Sequence, residues 1–228
     1  MSSFTNKAPK LTYFKFEAAA EKARLAFVCA GVPFEDNRIG FDEFKAIKET
    51  LPNKQLPILE LENGEIVAQS MAIARYAAAL GDGSLYPVRD VKKCLAIDVL
   101  IGLFDDDSRA FTPGLYMGMM PEKFGYPEGY NKTDEGGAKI KELRETYLAQ
   151  DLPEYMGHLA AAIDKNGGPF LVGSTLTLAD LFWLPRIRYL RKGVADHIPA
   201  DCLNAYPKVL AWEEAVMKVP AIQAWYAA

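Results

Sequence analysis

Histidine and cysteine are scarce in this 228-residue chain: His158 and His197 are the two histidines, and Cys29, Cys94 and Cys202 the three cysteines. Cysteines so few and so scattered make no disulfide framework, CxxC redox pair or zinc knuckle. That usage fits a reducing, cytoplasmic setting. With isolated histidines and no GxSxG elbow, a hydrolase triad has no support. No Walker or GxGxxG loop is present, so nucleotide binding has no handle. No apolar run approaches the roughly 18 residues of a membrane span. The first ten residues, MSSFTNKAPK, lack the apolar centre of a signal peptide. Lys+Arg number 26 against 30 Asp+Glu, a net charge of -4. No Lys/Arg cluster of the kind a duplex-binding protein presents accompanies them. Neither nucleic acid nor a membrane is therefore an expected partner.

What is present is the material of a globular protein. Half the residues are apolar and 25% are charged, enough for a sizeable core. The length allows one large domain or two small ones, and the two halves read differently. KLTYF, Lys10 to Phe14, is a β-prone run with Leu11 and Tyr13 on one face. An alanine-rich helical stretch, 18 to 30, follows and stops at Gly31. Residues 34–39 read as a second strand and 41–50 as a short helix. Leu56 to Leu61 reads as a strand entered through Pro57. Asn63-Gly64 predicts a two-residue hairpin turn, residues 65–68 the partner strand, and 69–80 a helix. The helical crossover makes the first two strands parallel. Together these form a small α/β unit of about 80 residues by that strand–helix alternation.

A breaker-rich linker, Gly81-Asp82-Gly83-Ser84 and Tyr86-Pro87, leads to a second half that reads as helix and loop. Helices are expected over 91–111, over 138–165 with a bend near Pro153, from about Thr177, and within 204–228. Residues 117–137, rich in Gly, Pro and Tyr, read as loop. There is no internal repeat or low-complexity tract.

Three features of the first half could carry chemistry. Leu56-Pro57 is the one kind of bond where cis costs little, and a cis proline turns the preceding N–H and C=O outward to pair with an extended peptide. An ordinary trans proline opening an edge strand is the plainer reading of the dipeptide alone. Gln69-Ser70 opens a helix, whose free N–H groups and dipole attract a carboxylate; simple capping is the other reading. Tyr13 lies near the carboxyl end of the first strand, where open α/β sheets place ligands, and a phenol favours a thiolate over a thiol. It could also be a half-buried strand aromatic.

Taken together, the strand tyrosine and the stretch LPNKQLPILELENGEIVAQSMAIARY resemble the cytosolic glutathione transferases. KLTYF and the run from Arg38 to Pro52 (RIGFDEFKAIKETLP) resemble their sigma-like class most. The similarity spans essentially the whole chain and is most specific over residues 10 to 80. It implies an α/β thioredoxin-like N-terminal domain over 8–82 and an all-α C-terminal domain over 90–228, with the site between them. It implies a cytoplasmic, homodimeric, detoxifying enzyme that attacks small apolar electrophiles with glutathione as cosubstrate and no separate cofactor. Tyr13 would donate to the glutathione sulfur, and Leu56, before Pro57, would pair its backbone with the cysteinyl unit. Gln69 and Ser70 would hold the γ-glutamyl end; Phe44, Lys48 and Gln55 would border the rest of the tripeptide, with Lys48 facing the glycine carboxylate.

Two departures follow from the same comparison. Ala19 stands where the family has an arginine beside the tyrosine hydroxyl, so weaker thiol activation, or a substitute such as Lys15, is expected. Phe44 stands where the pattern has Trp, which removes an indole donor and would lower glutathione affinity modestly.

In the second half, Asp105-Asp106-Asp107 cannot share one helix face at about 100° per residue. Asp106 matches the aspartate that reaches toward the neighbouring subunit's glutathione, with a solvated acidic stretch as the plain alternative. Gly102 replaces an acid of the cluster that holds a cation in some members, so no metal site is expected. Phe14, Phe111, Tyr116 and Met117 could line the electrophile pocket, though aromatics and Met serve more often as core. Thr177-Leu178-Ala179-Asp180 is a capping-box-like helix start with a folding role. A non-catalytic protein binding glutathione and apolar ligands, or a glutathione-dependent isomerase of the prostaglandin-synthase type, are the competing functions.

Overall fold

The computed structural model describes residues 7–227. The first 80 residues build β1 (Lys10–Phe14), α1 (Ala18–Cys29), β2 (Glu35–Ile39), α2 (Phe41–Ile47), β3 (Ile58–Glu60), β4 (Ile66–Ala68) and α3 (Ser70–Leu80), with two 3-10 turns at Lys48–Thr50 and Pro52–Lys54. One mixed sheet runs in the order β2-β1-β3-β4. β1 and β2 are parallel, as the helical crossover requires; β3 is antiparallel to both β1 and β4.

The expected Asn63-Gly64 hairpin takes another form. Only Gly64 has positive φ (+83°), and its N–H donates to Leu61 C=O at 2.9 Å. Glu65 N–H bonds the Asn63 side chain at 3.0 Å. The turn therefore spans Leu61–Gly64, with Gly64 alone supplying the left-handed residue, because the Asn63 carboxamide braces the exit instead of entering that region.

The alanine content of α1 has a packing cause. Ala20 through Phe27 are all buried, because α1 packs against α3, α7 (Leu178–Lys192) and α9 (Pro220–Ala227). Small side chains let these helices approach, and Ala74, Ala77 and Ala78 answer from α3.

The second half is helical: α4 (Val91–Met119), α5 (Asp134–Thr146), α6 (Leu152–Asn166), α7, α8 (Pro207–Met217) and α9. Helix α4 runs past the expected stop near Phe111 and straight through Pro113. The surrounding carbonyls find side-chain donors: Thr112 Oγ1 to Ser108 (2.6 Å), Arg144 Nε to Gly114 (3.2 Å) and Asn131 Nδ2 to Gly118 (2.8 Å). Pro113 leaves the Arg109 carbonyl, four residues back, without its helical donor, and the three bonds anchor the helix on either side of that gap. The expected loop shrinks accordingly, and Thr133 caps α5 through the Gly136 N–H at 3.0 Å. The bend expected near Pro153 is a π-helical stretch over Tyr147–Asp151.

One contiguous core, from Leu11 to Ile222, joins the two halves. No helix among the described residues is long and apolar enough to cross a membrane.

Candidate active site

Sheet register assembles the site. Thr12 pairs with Ile58 across β1–β3, and Ile58 with Ala68 across β3–β4. One residue further, Tyr13, Pro57 and Gln69 stand side by side at one end of the sheet. The Leu56–Pro57 bond is cis. Gln69 is exposed, with φ at +81°, and precedes α3 without a side-chain cap. Ser70 is thus the first helical residue and not the cap, and the opening N–H groups of α3 are not covered by any side chain of their own helix.

Tyr13 is buried, and its hydroxyl accepts the Ala19 backbone N–H at 3.3 Å. Accepting that bond leaves the phenol's own proton free to donate. Burial raises the Tyr13 pKa; the Ala19 bond opposes the shift, the Tyr116 phenol adds to it, and Arg24 opposes it. The group therefore stays a protonated donor at neutral pH. Arg24, deeply buried on α1, lies 5.7 Å from the Tyr13 ring and ties down the loop before it, donating to the carbonyls of Phe14 and Phe16 at 2.9 Å each. Its charge is balanced by Asp36 at 3.0 Å and Glu21 at 3.3 Å.

Lys15, the expected substitute for the missing arginine, is exposed and is not among the groups acting on Tyr13. What meets the Tyr13 hydroxyl at Ala19 is the backbone amide, at the positively polarised start of α1. Nothing in the motif pattern singles out Arg24; the available signal is a charged residue inside an alanine-rich helix.

After β2, Gly40 opens α2, its N–H bonded to Glu43 Oε2 at 2.7 Å. This helix brings Phe44 edge-on to Phe14, with ring centroids 5.4 Å apart, and leads into the turn carrying exposed Lys48. Gln55 is exposed and Leu56 half-buried beside the cis bond. Phe14 stacks on Phe16 (5.3 Å, 17°) and contacts Phe41 (4.8 Å), so five rings including Tyr13 gather around the sheet end. Sequence reasoning found Phe14 and Phe44 but not Phe16 or Phe41.

In the helical half, Tyr116 is close enough to act on Tyr13 and carries Lys123 Nζ 3.8 Å from its ring centroid. Phe111 is not brought to the cleft. It is 3% exposed and packs on Tyr147 and Tyr189 within the helical core, under the Arg186 guanidinium. Met117 is buried as well. Asp105 and Asp106 both pair with Arg109, one turn along α4, so two of the three carboxylates do share a cation. Asp107 turns inward, accepting from Tyr147 Oη at 2.7 Å, with Arg186 Nε 2.8 Å away. No cluster of three or more His, Cys, Asp or Glu side chains suited to a metal occurs among the described residues.

Comparison with known proteins matches residues 9–79 to the glutathione S-transferase N-terminal domain and residues 127–228 to the corresponding C-terminal domain. The chain is 32% identical over 216 residues to hematopoietic prostaglandin D synthase of Gallus gallus, covering 95% of this chain and 94% of that one. It is 31% identical over 220 residues to glutathione S-transferase 1 of Ascaris suum, covering 96% and 95%. The structure of prostaglandin synthase D of Nilaparvata lugens superposes with a TM-score of 0.76 at 30% identity, covering 96% of this chain and 97% of that one.

Proposed function

The chain belongs to the glutathione S-transferase family, and we propose that its Tyr13 hydroxyl holds the glutathione sulfur as a thiolate for attack on an apolar electrophile. The chain is a glutathione transferase with a thioredoxin-like first domain and a helical second one. The domains divide at 8–82 and 90–228.

Leu56 reads the cysteinyl backbone, Gln69 and Ser70 take the γ-glutamyl end at the uncapped start of α3, and Phe44, Lys48 and Gln55 flank the remainder. The thiol proton leaves to solvent, the thiolate forms the new C–S bond, and the electrophile's leaving group departs with the bonding pair. The protein supplies orientation and a stabilised sulfur anion; the nucleophile is the cosubstrate's. Phe14 and Tyr116 face the electrophile, while Phe111 stays in the helical core. No cofactor beyond glutathione is required, and the setting is the cytoplasm.

The observation that carries this reading is the alignment of Tyr13, Pro57 and Gln69, with the Tyr13 hydroxyl already holding one N–H and keeping its proton. A turnover assay with 1-chloro-2,4-dinitrobenzene beside glutathione calorimetry tests it. Binding with turnover is expected; binding without turnover would make the chain a carrier, and absence of both would overturn the reading.

Homodimerisation is part of the proposal. Val91, Leu95 and Val99 on α4 are 75%, 65% and 55% exposed at i, i+4, i+8 spacing, beside exposed Tyr76 and Leu80 on α3. A stripe of that kind marks an interface. A partner docked there would bring its α4, with Asp106, toward this chain's γ-glutamyl site. A second reading, isomerisation of a prostaglandin-type endoperoxide with glutathione, is favoured by the relatives named prostaglandin D synthase. Product analysis with an endoperoxide substrate distinguishes it from conjugation.

A further inference from the structure

Lys22 is a buried cation that the chemistry above leaves unused. It sits on α1 where the first domain meets the helices and is 7% exposed. Its Nζ donates to the Ala19 carbonyl at 2.9 Å and lies 5.6 Å from the ring centroids of both Phe104 on α4 and Phe182 on α7. Two charged groups face it, Asp105 from α4 and Arg186 from α7. Asp105 is engaged by Arg109. Glu21, its neighbour on α1, is turned to Trp225 Nε1 at 2.8 Å and to Arg24. Among the described residues no carboxylate hydrogen-bonds the ammonium, which makes it a costly group to bury.

The turn it touches is weakly built. Glu17 gives α1 no side-chain cap, Ala18 has φ of +35°, and Ala18, Ala19 and Ala20 carry no polar side chain. Two polar side chains meet the Ala19 backbone: Tyr13, whose hydroxyl accepts its N–H, and Lys22, whose ammonium donates to its C=O.

We infer that Lys22 is a positioning residue for the transfer reaction: its ammonium clamps the first turn of α1 to helices α4 and α7 and so holds the Ala19 amide on the Tyr13 hydroxyl. The inference rests on the proposed role of Tyr13. Burial and the nearby Arg186 lower Lys22 to about 8, against the pull of Asp105. The clamp thus loses its charge just above neutrality, and with it the cation–aromatic contacts and the charge assistance of the hydrogen bond.

The test measures kcat at saturating glutathione and 1-chloro-2,4-dinitrobenzene from about pH 6.5 to about pH 9.5 in wild type, Lys22→Met and Lys22→Arg. Lys22→Met is expected to lower kcat about tenfold at pH 7, with the glutathione dissociation constant within about twofold. That deficit shrinks as pH rises through 8, because wild type surrenders the same charge. Lys22→Arg, charged throughout, keeps its kcat above pH 8 where wild type falls away. A Lys22→Met deficit that is absent, or constant with pH, overturns the inference, as does a Lys22→Arg profile that bends like wild type; the second comparison stands even if Lys22→Met does not fold. Undiminished kcat in Tyr13→Phe would overturn the reading of Tyr13 and this inference together. A large loss in Tyr13→Phe beside a wild-type Lys22→Met would overturn this inference alone.

Discussion

Removing a single oxygen probes the centre of the site. A hydrogen bond to an anionic sulfur contributes about 1.5–3 kcal/mol. Tyr13→Phe should therefore lower kcat/KM at pH 7 by roughly 10- to 100-fold. Glutathione affinity by calorimetry should stay within about threefold, because the proposed grip on the tripeptide lies at Leu56, Gln69 and Ser70. Lys22→Met should shift stability the opposite way. A lysine whose folded pKa is lowered from 10.5 to about 8 opposes folding while it is charged, and that cost disappears as pH rises from 8 toward 10.5. Urea titrations should find Lys22→Met more stable than wild type by about 1–3 kcal/mol at pH 7, with the gap closing by about pH 10. At this scale the position of Tyr13 is legible in the sequence, since it falls near the carboxyl end of a β-prone run, whereas its proposed role came only with the resemblance. The Ala19 amide is not, because a backbone donor leaves no mark in the choice of side chain. Phe111 shows the converse: an aromatic on a helix looks the same in sequence whether it faces a cleft or, as here, a core of Tyr147 and Tyr189.

The start of α7 shows how much one element can hang on one carboxylate. Asp180 accepts from Thr177 N–H (2.8 Å), Thr177 Oγ1 (2.9 Å), Leu171 N–H (2.9 Å) and Trp212 Nε1 (2.9 Å), all buried. Asp180→Ala strands these donors and should cost roughly 3–5 kcal/mol, read as a large fall in thermal midpoint. Circular dichroism would show whether the fall comes as one transition. The capping pattern around Thr177 was readable from sequence; the reach of Asp180 to Leu171 and Trp212 was not, because both lie outside the local motif. The elements themselves were largely legible from period and breakers. Helix α4 was not, since Pro113 signals a stop, and the contacts that hold the helix beyond it come from Arg144 and Asn131, outside the helix itself.

Across the whole molecule, the exposed stripe on α4 and the tethers at the domain seam set the expectations. Leu95→Glu places a charge in the middle of the stripe, which desolvation in a dimer would penalise. Sedimentation velocity at two concentrations should show wild type as a dimer and the variant as a monomer. A wild type that is already monomeric would remove the dimer from the proposal. The two-part organisation was visible in the change of periodicity near residue 85, but the seam was not, because its partners are distant. Glu17 pairs with Arg188 and Lys192, and Trp225 Nε1 bonds Glu21 at 2.8 Å, 204 residues away. These tethers fall on the stretch that opens α1, between Tyr13 and the first domain's core. A ribosome must therefore deliver residue 225 before that stretch is fully secured. The emerging first domain can close its sheet early, but the opening of α1 gains its last tether only with the final helix.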